Sequence, residues 1–304
     1  MIIIFTTDSM NDSIDLEYTN ELRTVHNLSI KYLLFDFDSF CEGNIKNAFR
    51  YVDKQIDQQI AIYRGWMMSA EQYEKFFIEL LKRNIILINC PFEYEQTHCL
   101  YNSYNAIEAH TPFSTFIFKE DFNDTTLAEA LKPFHGKKIF FRDFYKSEKM
   151  YWKSAAFIPD SADTAYVQKV IDEFKVLRTI KGGYVFREYI SLNVIGKHPY
   201  PGIDIPIANE WRAYFLNDKI IDLSPYWEEG NYDGVTIPPI DIFIPITEKI
   251  NSSFFTMDLA ETVEGEWIII EIGDGQMSGL TTRCDQNKFY TKLIGNIDDS
   301  KGNK

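Results

Sequence analysis

The sequence has few of the residues that mark several common protein classes. Its 304 residues include only four cysteines and five histidines, and no two cysteines form a CxxC pair. Scattered cysteines are typical of reduced thiols in a cytosolic protein and favour neither a zinc site nor a disulfide framework. The histidines lack the spacing of metal ligands, so each fits a single role in the core or on the surface. We therefore expect a cytoplasmic protein.

Long apolar runs and an excess of basic residues are missing too. No run is long enough to span a bilayer, and the start, Met1 to Phe5, lacks a basic region and indicates a buried strand rather than a signal peptide. Lys and Arg number 31 against 45 Asp and Glu, a net charge of −14. This charge argues against general binding to nucleic acid or an anionic membrane, and it would suit a basic protein partner.

Familiar nucleotide-binding motifs are absent as well. There is no GxGxxG, no Walker A sequence and no KxDG motif. A hydrophobic content of 45% and an aromatic content of 15% are nevertheless typical of a globular protein. The length allows two domains, or one large one.

Predicted strands and helices alternate over residues 1 to about 110, which favours an α/β domain with a largely parallel sheet. Ser69 to Arg83 is the clearest helix, because Ser69 and Gln72 have capping-box spacing ahead of an apolar stripe. Residues 91 to 135 are expected to be mainly helical. The predicted strands are residues 2–5, 29–36, 60–63 and 85–88.

From Lys137 the pattern changes to a mixed α+β one. Strands are predicted at residues 139–144, 155–158 and 183–190, with an amphipathic helix at 162–177. A hairpin is predicted around the turn pair Asn217-Asp218, with strands at 211–216 and 219–223.

An apolar hairpin near the end carries three acidic residues. Its strands are residues 255–260 and 267–276, and a Gly lies in the spacer between them. Asp258 and Glu271 can face the same side, while Asp274 follows at the strand exit. Carboxylates converging in an apolar hairpin are costly unless a cation neutralises them. Hard oxygen ligands of this kind suit Mg²⁺, which often shares its shell with nucleotide phosphates.

Cationic residues on two predicted strands are candidates for anion binding. Arg142, Lys146 and Lys149 lie on or just after one strand, where they suit a phosphate or simply form a solvated strand end. Arg187 and Glu188 place an ion-capable pair in another strand. Glu188 fits an adenine amino group or a ribose, and a purely structural ion pair is an equal alternative.

Two further arginines have open roles. Arg212 shares a strand face with Glu210 and either holds phosphate beside the acidic hairpin or merely neutralises Glu271 or Asp274. Arg64 follows a predicted strand, at the edge where open α/β sheets bind ligands. It either anchors a substrate carboxylate or caps a loop.

Taken in order, these segments resemble the ATP-grasp superfamily, most closely the clade named for an arginine and two lysines. The similarity spans roughly residues 60 to 280, and its most specific part is the EIGDGQMSGL run. The segments are Tyr63–Met67, Arg142–Ser147, Arg187-Glu188, Glu210–Arg212, Asp258–Ala260 and Glu271–Leu280.

The resemblance implies a Rossmann-like pre-ATP-grasp α/β domain at residues 1–110 and an ATP-grasp domain at 111–304. The latter would grip ATP between a small subdomain at about 136–190 and a metal-binding subdomain at about 205–290. Many superfamily members carry a metal-binding Asn two residues after the Glu. Here Gly273 occupies that position, and Asp274 is the candidate to supply the missing oxygen.

The resemblance also implies roles for individual residues. Lys146 and Arg212 would be catalytic and would face the triphosphate or an acyl phosphate. The candidates for ATP binding are Arg142, Lys146, Lys149, Arg187, Glu188, Glu210 and Arg212. Those for Mg²⁺ are Asp258, Glu271 and Asp274, and the candidate substrate anchor is Arg64.

Two functions follow from this resemblance. The first is an ATP- and Mg²⁺-dependent carboxylate–amine ligase acting through an acyl phosphate on a small molecule or peptide. It needs no nucleophilic side chain, in agreement with the absence of a Ser/His or Cys/His arrangement. The alternative is an ATP-binding assembly or regulatory factor without ligase activity, like the cell-division-cycle 123 relatives. RNA end-joining is disfavoured by the missing lysine motif and the acidic charge. The identity of the substrates and the oligomeric state are left open.

Overall fold

The computed structural model describes residues 1–8, 13–199 and 205–302, with the side chains of Lys149 and residues 298–302 left out. The strands are β1 Ile2–Thr6, β2 Lys31–Phe35, β3 Gln59–Arg64, β4 Ile85–Leu87, β5 Ser114–Phe118, β6 Ile139–Asp143, β7 Phe157–Ile158, β8 Gly183–Glu188, β9 Val194–Lys197, β10 Pro206–Ala208, β11 Glu210–Leu216, β12 Lys219–Pro225, β13 Phe254–Glu261 and β14 Trp267–Asp274. The helices are α1 Thr19–Asn27, α2 Phe37–Cys41, α3 Ile45–Ala48, α4 Ala70–Leu81, α5 Pro91–His98, α6 Leu100–Ile107, α7 Asp124–Leu131, α8 Trp152–Ala155, α9 Thr164–Leu177, α10 Ile244–Thr247 and α11 Gln286–Gly302. Short 3₁₀ turns lie at Leu16–Tyr18, Glu108–His110, Lys119–Asp121, Lys132–Phe134, Lys149–Tyr151 and Ile240–Ile242.

The first sheet is parallel throughout and has the order β2-β1-β3-β4. Strand β1 is apolar on every residue from Ile2 to Phe5 because both faces of the sheet are covered. Ile2 and Ile4 pack in the same cluster as residues of α4, while Ile3 and Phe5 pack with residues of α11. The four strands predicted for this region are therefore confirmed. So is helix α4, where Ser69 and Gln72 form the expected capping box.

The middle sheet is antiparallel, with the order β5-β8-β6-β7. Its core face carries Phe141 and Phe186, which pack with Ile171 and Phe174 of α9. Strand β5 is a correction, because the sequence predicted a mainly helical segment from 91 to 135. The pattern Ser-Thr-Phe-Ile-Phe is short, and only its pairing with β8 makes it a strand.

Strand β7 begins later than expected, at Phe157. Ala155, which was predicted to open it, ends helix α8 instead. The amphipathic helix of this region is confirmed as α9, and the side chain of Asp163 caps its N-terminus.

The third sheet is also antiparallel and has the order β12-β11-β13-β14. Both hairpins expected here are present. Asn217 and Asp218 have φ angles of 47° and 62°, as a two-residue turn with two left-handed residues requires. One face of the sheet is core, with Ala213, Met257 and Ile272 among its members. The other face supplies the polar residues of the site.

A β-bulge in β14 shapes that polar face. Asp258 pairs with Glu271, whereas Leu259 pairs with Ile269, so Ile270 is the extra residue. A bulge lets two consecutive residues face the same side of a sheet. Ile270 and Glu271 accordingly line the same cavity, while Ile269 and Ile272 both face the core.

None of the described helices has the character of a membrane span. Within residues 1–8, 13–199 and 205–302, no helix is both long enough and apolar enough to cross a bilayer.

Candidate active site

A row of three charged residues crosses the polar face of the third sheet. Arg212 on β11 pairs in register with Asp258 on β13, which pairs with Glu271 on β14. Arg212 donates from Nε and Nη2 to the two oxygens of Asp258, at 2.7 and 2.8 Å. Burial lowers the pKa of Arg212, but the Asp258 carboxylate outweighs burial and raises the pKa well above its ordinary value. The two carboxylates predicted to share a face therefore do so.

Glu271 also contacts the middle sheet. Arg142 of β6 donates from Nη2 to Glu271 Oε1 at 2.9 Å. The Arg142 side chain is 7% exposed and that of Glu271 is 32% exposed. This ion pair joins the two antiparallel sheets across the space between them. It separates two cavities that both include Glu271 among their lining residues.

The first cavity, hereafter the polar cleft, has a volume of about 380 Å³. Its lining includes Arg212, Asp258 and Glu271 of the charged row, together with Lys146. The loop that carries Lys146 is fixed by Asp143, whose Oδ1 accepts from the backbone N–H groups of Tyr145 and Lys146. The structure thus brings Lys146, Arg212 and all three predicted acidic residues, Asp274 included, into the lining of one cleft. The side chain of Lys149 lies outside the described residues.

The second cavity lies between the middle and third sheets and has a volume of about 490 Å³. Its apolar lining includes Phe140, Ile268 and Ile270. Its polar lining includes Glu188 and Glu210. Glu188 accepts from Lys137 at 2.8 Å, and Glu210 accepts from the Trp227 indole N–H at 2.9 Å. A largely apolar cavity with a few polar groups is the usual form of a small-molecule site.

Arg187 lines this apolar cavity but is tied to the protein. Its Nη2 donates to the hydroxyl of Thr111 and to the carbonyl of Ile269. Burial, with a smaller contribution from Arg142, lowers the pKa of Arg187 to about 10. Arg187 therefore joins β8 to β14.

Asp274 lines the same polar cleft as Asp258 and Glu271, but its carboxylate is bound by other groups. Strand β14 extends through Asp274, which pairs with Phe255 and so belongs to the opposite face from Glu271 and Gly273. Its carboxylate accepts from Asn89 Nδ2 at 2.6 Å and from the backbone N–H groups of Gln276 and Met277. Burial raises the pKa of Asp274 to about 6, against these hydrogen bonds. In the described part of the chain, no three metal-type side chains form a group that could hold an ion.

The expectation that all three carboxylates converge on one ion is therefore corrected: all three residues line the polar cleft, but the Asp274 carboxylate is held by Asn89 and the loop after β14. Two hydroxyls also lie in this cleft. The hydroxyls of Thr256 and Ser278 are 2.8 Å apart, and both residues line the polar cleft. A Cβ on Gly273 would lie only 2.8 and 2.9 Å from these hydroxyl oxygens. This chain thus has no room for the asparagine that many superfamily members carry at position 273.

Arg64 is buried and bonded to other groups of the protein. Its side chain is 1% exposed, and its Nε and Nη2 donate to both oxygens of Glu21 at 2.8 and 2.9 Å. Nη1 donates to the carbonyls of Gly275, Gln276 and Ser278. The proposed role as a substrate anchor is corrected accordingly: Arg64 fixes the loop after β14, whose Gly279 carbonyl accepts from Arg212.

Sequence reasoning missed several residues of the site. His98 was assigned a lone core or surface role, yet it lines the polar cleft. Asp143, which fixes the loop around Lys146, and Asn89, which binds Asp274, were not singled out. A carboxylate at the end of a strand and ahead of the lysine was the only available signal for Asp143. Nothing local distinguishes His98 or Asn89.

The chain is similar to known proteins in family and in fold. Residues 133–293, more than half of the chain, match the model of an ATP-grasp domain, family 3 of the clade named for an arginine and two lysines. No curated protein sequence matches the chain.

Solved structures match over nearly the whole length. The ATP-grasp ligase PsnB, complexed with minimal precursor, Mg and ADP, is 13% identical, covers 98% of both chains and has a TM-score of 0.57. D-alanyl-alanine synthetase A from Vibrio cholerae is 11% identical, with 98% of both chains covered and a TM-score of 0.58. D-cycloserine synthetase DcsG is 12% identical, with 98% of this chain and 100% of that chain covered and a TM-score of 0.56. The predicted fold class is confirmed by these likenesses.

Proposed function

Because this chain belongs to family 3 of the arginine-and-two-lysines clade of ATP-grasp domains, we propose that it is an ATP-dependent ligase that joins a carboxylate to an amine. The membership agrees with the resemblance stated from the sequence. The likeness to PsnB and to the two synthetases concerns the fold, and the proposed reaction is the one that the names of these enzymes suggest. The proposal depends on the arrangement of the polar cleft.

One observation carries the proposal. Asp258 and Glu271 are directly paired on the face of the third sheet that lines the polar cleft, in the same cavity as Arg212 and Lys146. The apolar cavity adjoins this cleft at the Arg142–Glu271 ion pair. A nucleotide fits such a pair of spaces, with its base between the two sheets and its phosphates among the cations.

The two carboxylates fit a magnesium ion. Mg²⁺ is usually bound by one or two carboxylates together with substrate phosphates and waters, and Asp258 and Glu271 supply that number. The hydroxyls of Thr256 and Ser278 add neutral oxygens beside them. When bound, the ion would neutralise negative charge on the phosphates. Glu271 would then exchange its contact with Arg142 for the ion, which leaves Arg142 to contact phosphate.

The reaction has two balanced steps. An oxygen of the substrate carboxylate attacks the γ-phosphorus of ATP, the bond from that phosphorus to the β,γ-bridging oxygen breaks, and ADP leaves. The amine nitrogen then attacks the acyl carbon, the carbon–oxygen bond to phosphate breaks, and one proton is lost from the nitrogen. Lys146 and Arg212 would stabilise the charge on the transferred group. The protein otherwise positions the reactants.

The direct test is to measure ADP release with Mg·ATP over a panel of carboxylates, with hydroxylamine present in place of the amine. Hydroxylamine converts an acyl phosphate to a hydroxamate. We expect carboxylate-dependent ADP release together with hydroxamate, and loss of both in Arg212→Met. Mg·ATP binding without ADP release from any carboxylate would contradict the ligase proposal and favour the assembly-factor alternative.

A further inference from the structure

Part of the lining of the polar cleft forms a wall that differs in character from the charged row. This wall, hereafter the methionine wall, consists of Met67, Thr97, His98, Met150 and Met277. Its residues come from the loop after β3, the end of α5, the 3₁₀ turn at Lys149–Tyr151 and the loop after β14. When the His98 imidazole is neutral, no residue of the methionine wall carries a charge.

The three methionines are accessible to a ligand. Met67 is 41% exposed and Met150 is 56% exposed, although both line a cavity. A flexible thioether side chain adapts to apolar groups of different shapes. The methionine wall therefore presents soft apolar surface to whatever occupies the cleft.

His98 is the hydrogen-bonding group of the methionine wall. Its ring stacks on Tyr94 with centroids 4.8 Å apart, and in the described part of the chain neither ring nitrogen makes a hydrogen bond. Burial first, and then the nearby Lys146, lower the pKa of His98 to about 4. The imidazole is neutral near pH 7 and offers one donor and one acceptor. The Thr97 hydroxyl, in contrast, is already used by carbonyls of α5.

The charges of the polar cleft are assigned elsewhere. Arg212 and Lys146 serve the phosphates in the proposed function, and Asp258 and Glu271 serve the ion. Glu148 also lines the cleft, but it accepts from Arg178 at 3.3 Å. The methionine wall itself would offer no countercharge to a second ionised group of a substrate. Leaving a desolvated charge unpaired is costly.

We infer that the substrate group lying against the methionine wall is uncharged, as in a residue flanked by amide bonds, and that it is not the second ionised group of a free amino acid. One neutral polar atom of this group would bond to His98, and its apolar part would contact the methionines. The inference rests on the proposed function, since that function assigns the cations of the cleft to phosphate. The substrate would then be a peptide, or an amino acid whose non-reacting amino or carboxyl group is blocked.

Methionine methyl NMR tests this inference directly. The chain has seven methionines, and Met257 is fully buried away from the cleft, so it is an internal control. With Mg²⁺ and a non-hydrolysable ATP analogue present, each of a set of amino acids is titrated in three forms: free, N-acetylated and C-terminally amidated. We expect blocked forms to shift the methyls of Met67, Met150 and Met277, and to bind about tenfold more tightly than the free form.

Two variants sharpen the result. His98→Leu should weaken binding of the blocked forms about tenfold while leaving the affinity for the ATP analogue unchanged, and His98→Asn should retain part of the binding. Met67→Lys, at a half-exposed position, adds a cation to the wall. It should therefore reduce the factor by which blocked forms bind more tightly than free amino acids.

The inference is overturned if free amino acids bind at least as tightly as blocked forms, or if no form shifts the wall methyls. The proposed function is tested separately by the ATP analogue. If the analogue binds and the blocked forms fail, only the substrate class is wrong. If the analogue itself does not bind, the proposed function fails first.

Discussion

Asp258 and Glu271 face each other across β13 and β14, and each accepts hydrogen bonds from a different arginine. Arg212 holds Asp258 from within the same sheet, while Arg142 reaches Glu271 from the middle sheet. Asp258 is 2% exposed, whereas Glu271 is partly open to the cleft. The pair therefore combines one fixed carboxylate with one that can exchange its partner.

Glu271→Gln should weaken the Mg²⁺ dependence of ATP binding. Glutamine keeps the shape of the side chain but loses the charge that a divalent cation prefers. We expect the affinity for ATP to fall about tenfold with Mg²⁺ present and to stay the same or rise without it, since one repelling charge is removed. Titration calorimetry measures both values. Glu264→Gln, at an exposed position in the turn of the same hairpin, is the matched control; equal behaviour of the two variants would rule out Glu271 as a metal ligand.

Arg212→Lys tests geometry at constant charge. Lysine cannot make both hydrogen bonds to Asp258 and still reach the Gly279 carbonyl, as Arg212 does. We expect turnover to fall by about tenfold to a hundredfold or more with the fold intact. Steady-state ADP release gives the rate, and Arg83→Lys, in a surface ion pair, is the control. A rate within twofold of the control would remove Arg212 from the catalytic set.

Arg64→Met should destabilise the protein strongly. Glu21 is buried, accepts from Arg64 and Tyr290, and would be left without its cation. Removing one partner of a buried ion pair costs about 3–5 kcal/mol. Urea unfolding measures the free energy of unfolding. Lys82→Met, which removes a surface ion pair, should cost less than about 1 kcal/mol, and the double variant Glu21→Gln with Arg64→Met should recover part of the loss. Equal costs for the two single variants would show that Arg64 does not hold the loop.

His98 should make stability depend on pH. Its pKa is lowered from 6.5 to about 4 by burial and Lys146, so the unfolded chain binds a proton at higher pH than the folded one. The resulting stability is present above about pH 6.5 and is lost as the pH falls towards about 4. The loss amounts to about 3 kcal/mol. Between pH 7 and pH 4, wild type should therefore lose about 3 kcal/mol more free energy of unfolding than His98→Asn. If the free energy of unfolding changed with pH in the same way in both proteins, the burial of a neutral His98 imidazole would be contradicted.

Local chemistry decided which parts of the fold the sequence predicts. The turn at Asn217-Asp218 and the capping box of Ser69 depend on residues within three positions of one another. Asp258 and Glu271 follow from strand alternation within one hairpin. Strand β5 depends instead on pairing with β8, some seventy positions away along the chain, and the short run Ser114–Phe118 does not specify it alone.

Long-range packing decided the rest of the site. Arg64 looked like a ligand residue at a strand end, but its partners are Glu21 and a loop more than two hundred residues away. Asp274 was placed beside Glu271 as a residue at the exit of the strand. Since β14 continues through Asp274, alternation turns that side chain to Asn89 instead. The bulge at Ile270 has no sequence signal, and it places Ile270 and Glu271 in the lining of the same cavity.

The most direct test of the proposed nucleotide site is calorimetric titration of the wild-type protein with ATP, with and without Mg²⁺. We predict saturable binding of one ATP per chain that is markedly tighter with Mg²⁺, because Asp258 and Glu271 repel the phosphates unless a cation lies between them. No binding with Mg²⁺ present, or equal affinity in both conditions, would contradict the assignment of the polar cleft as a Mg·ATP site.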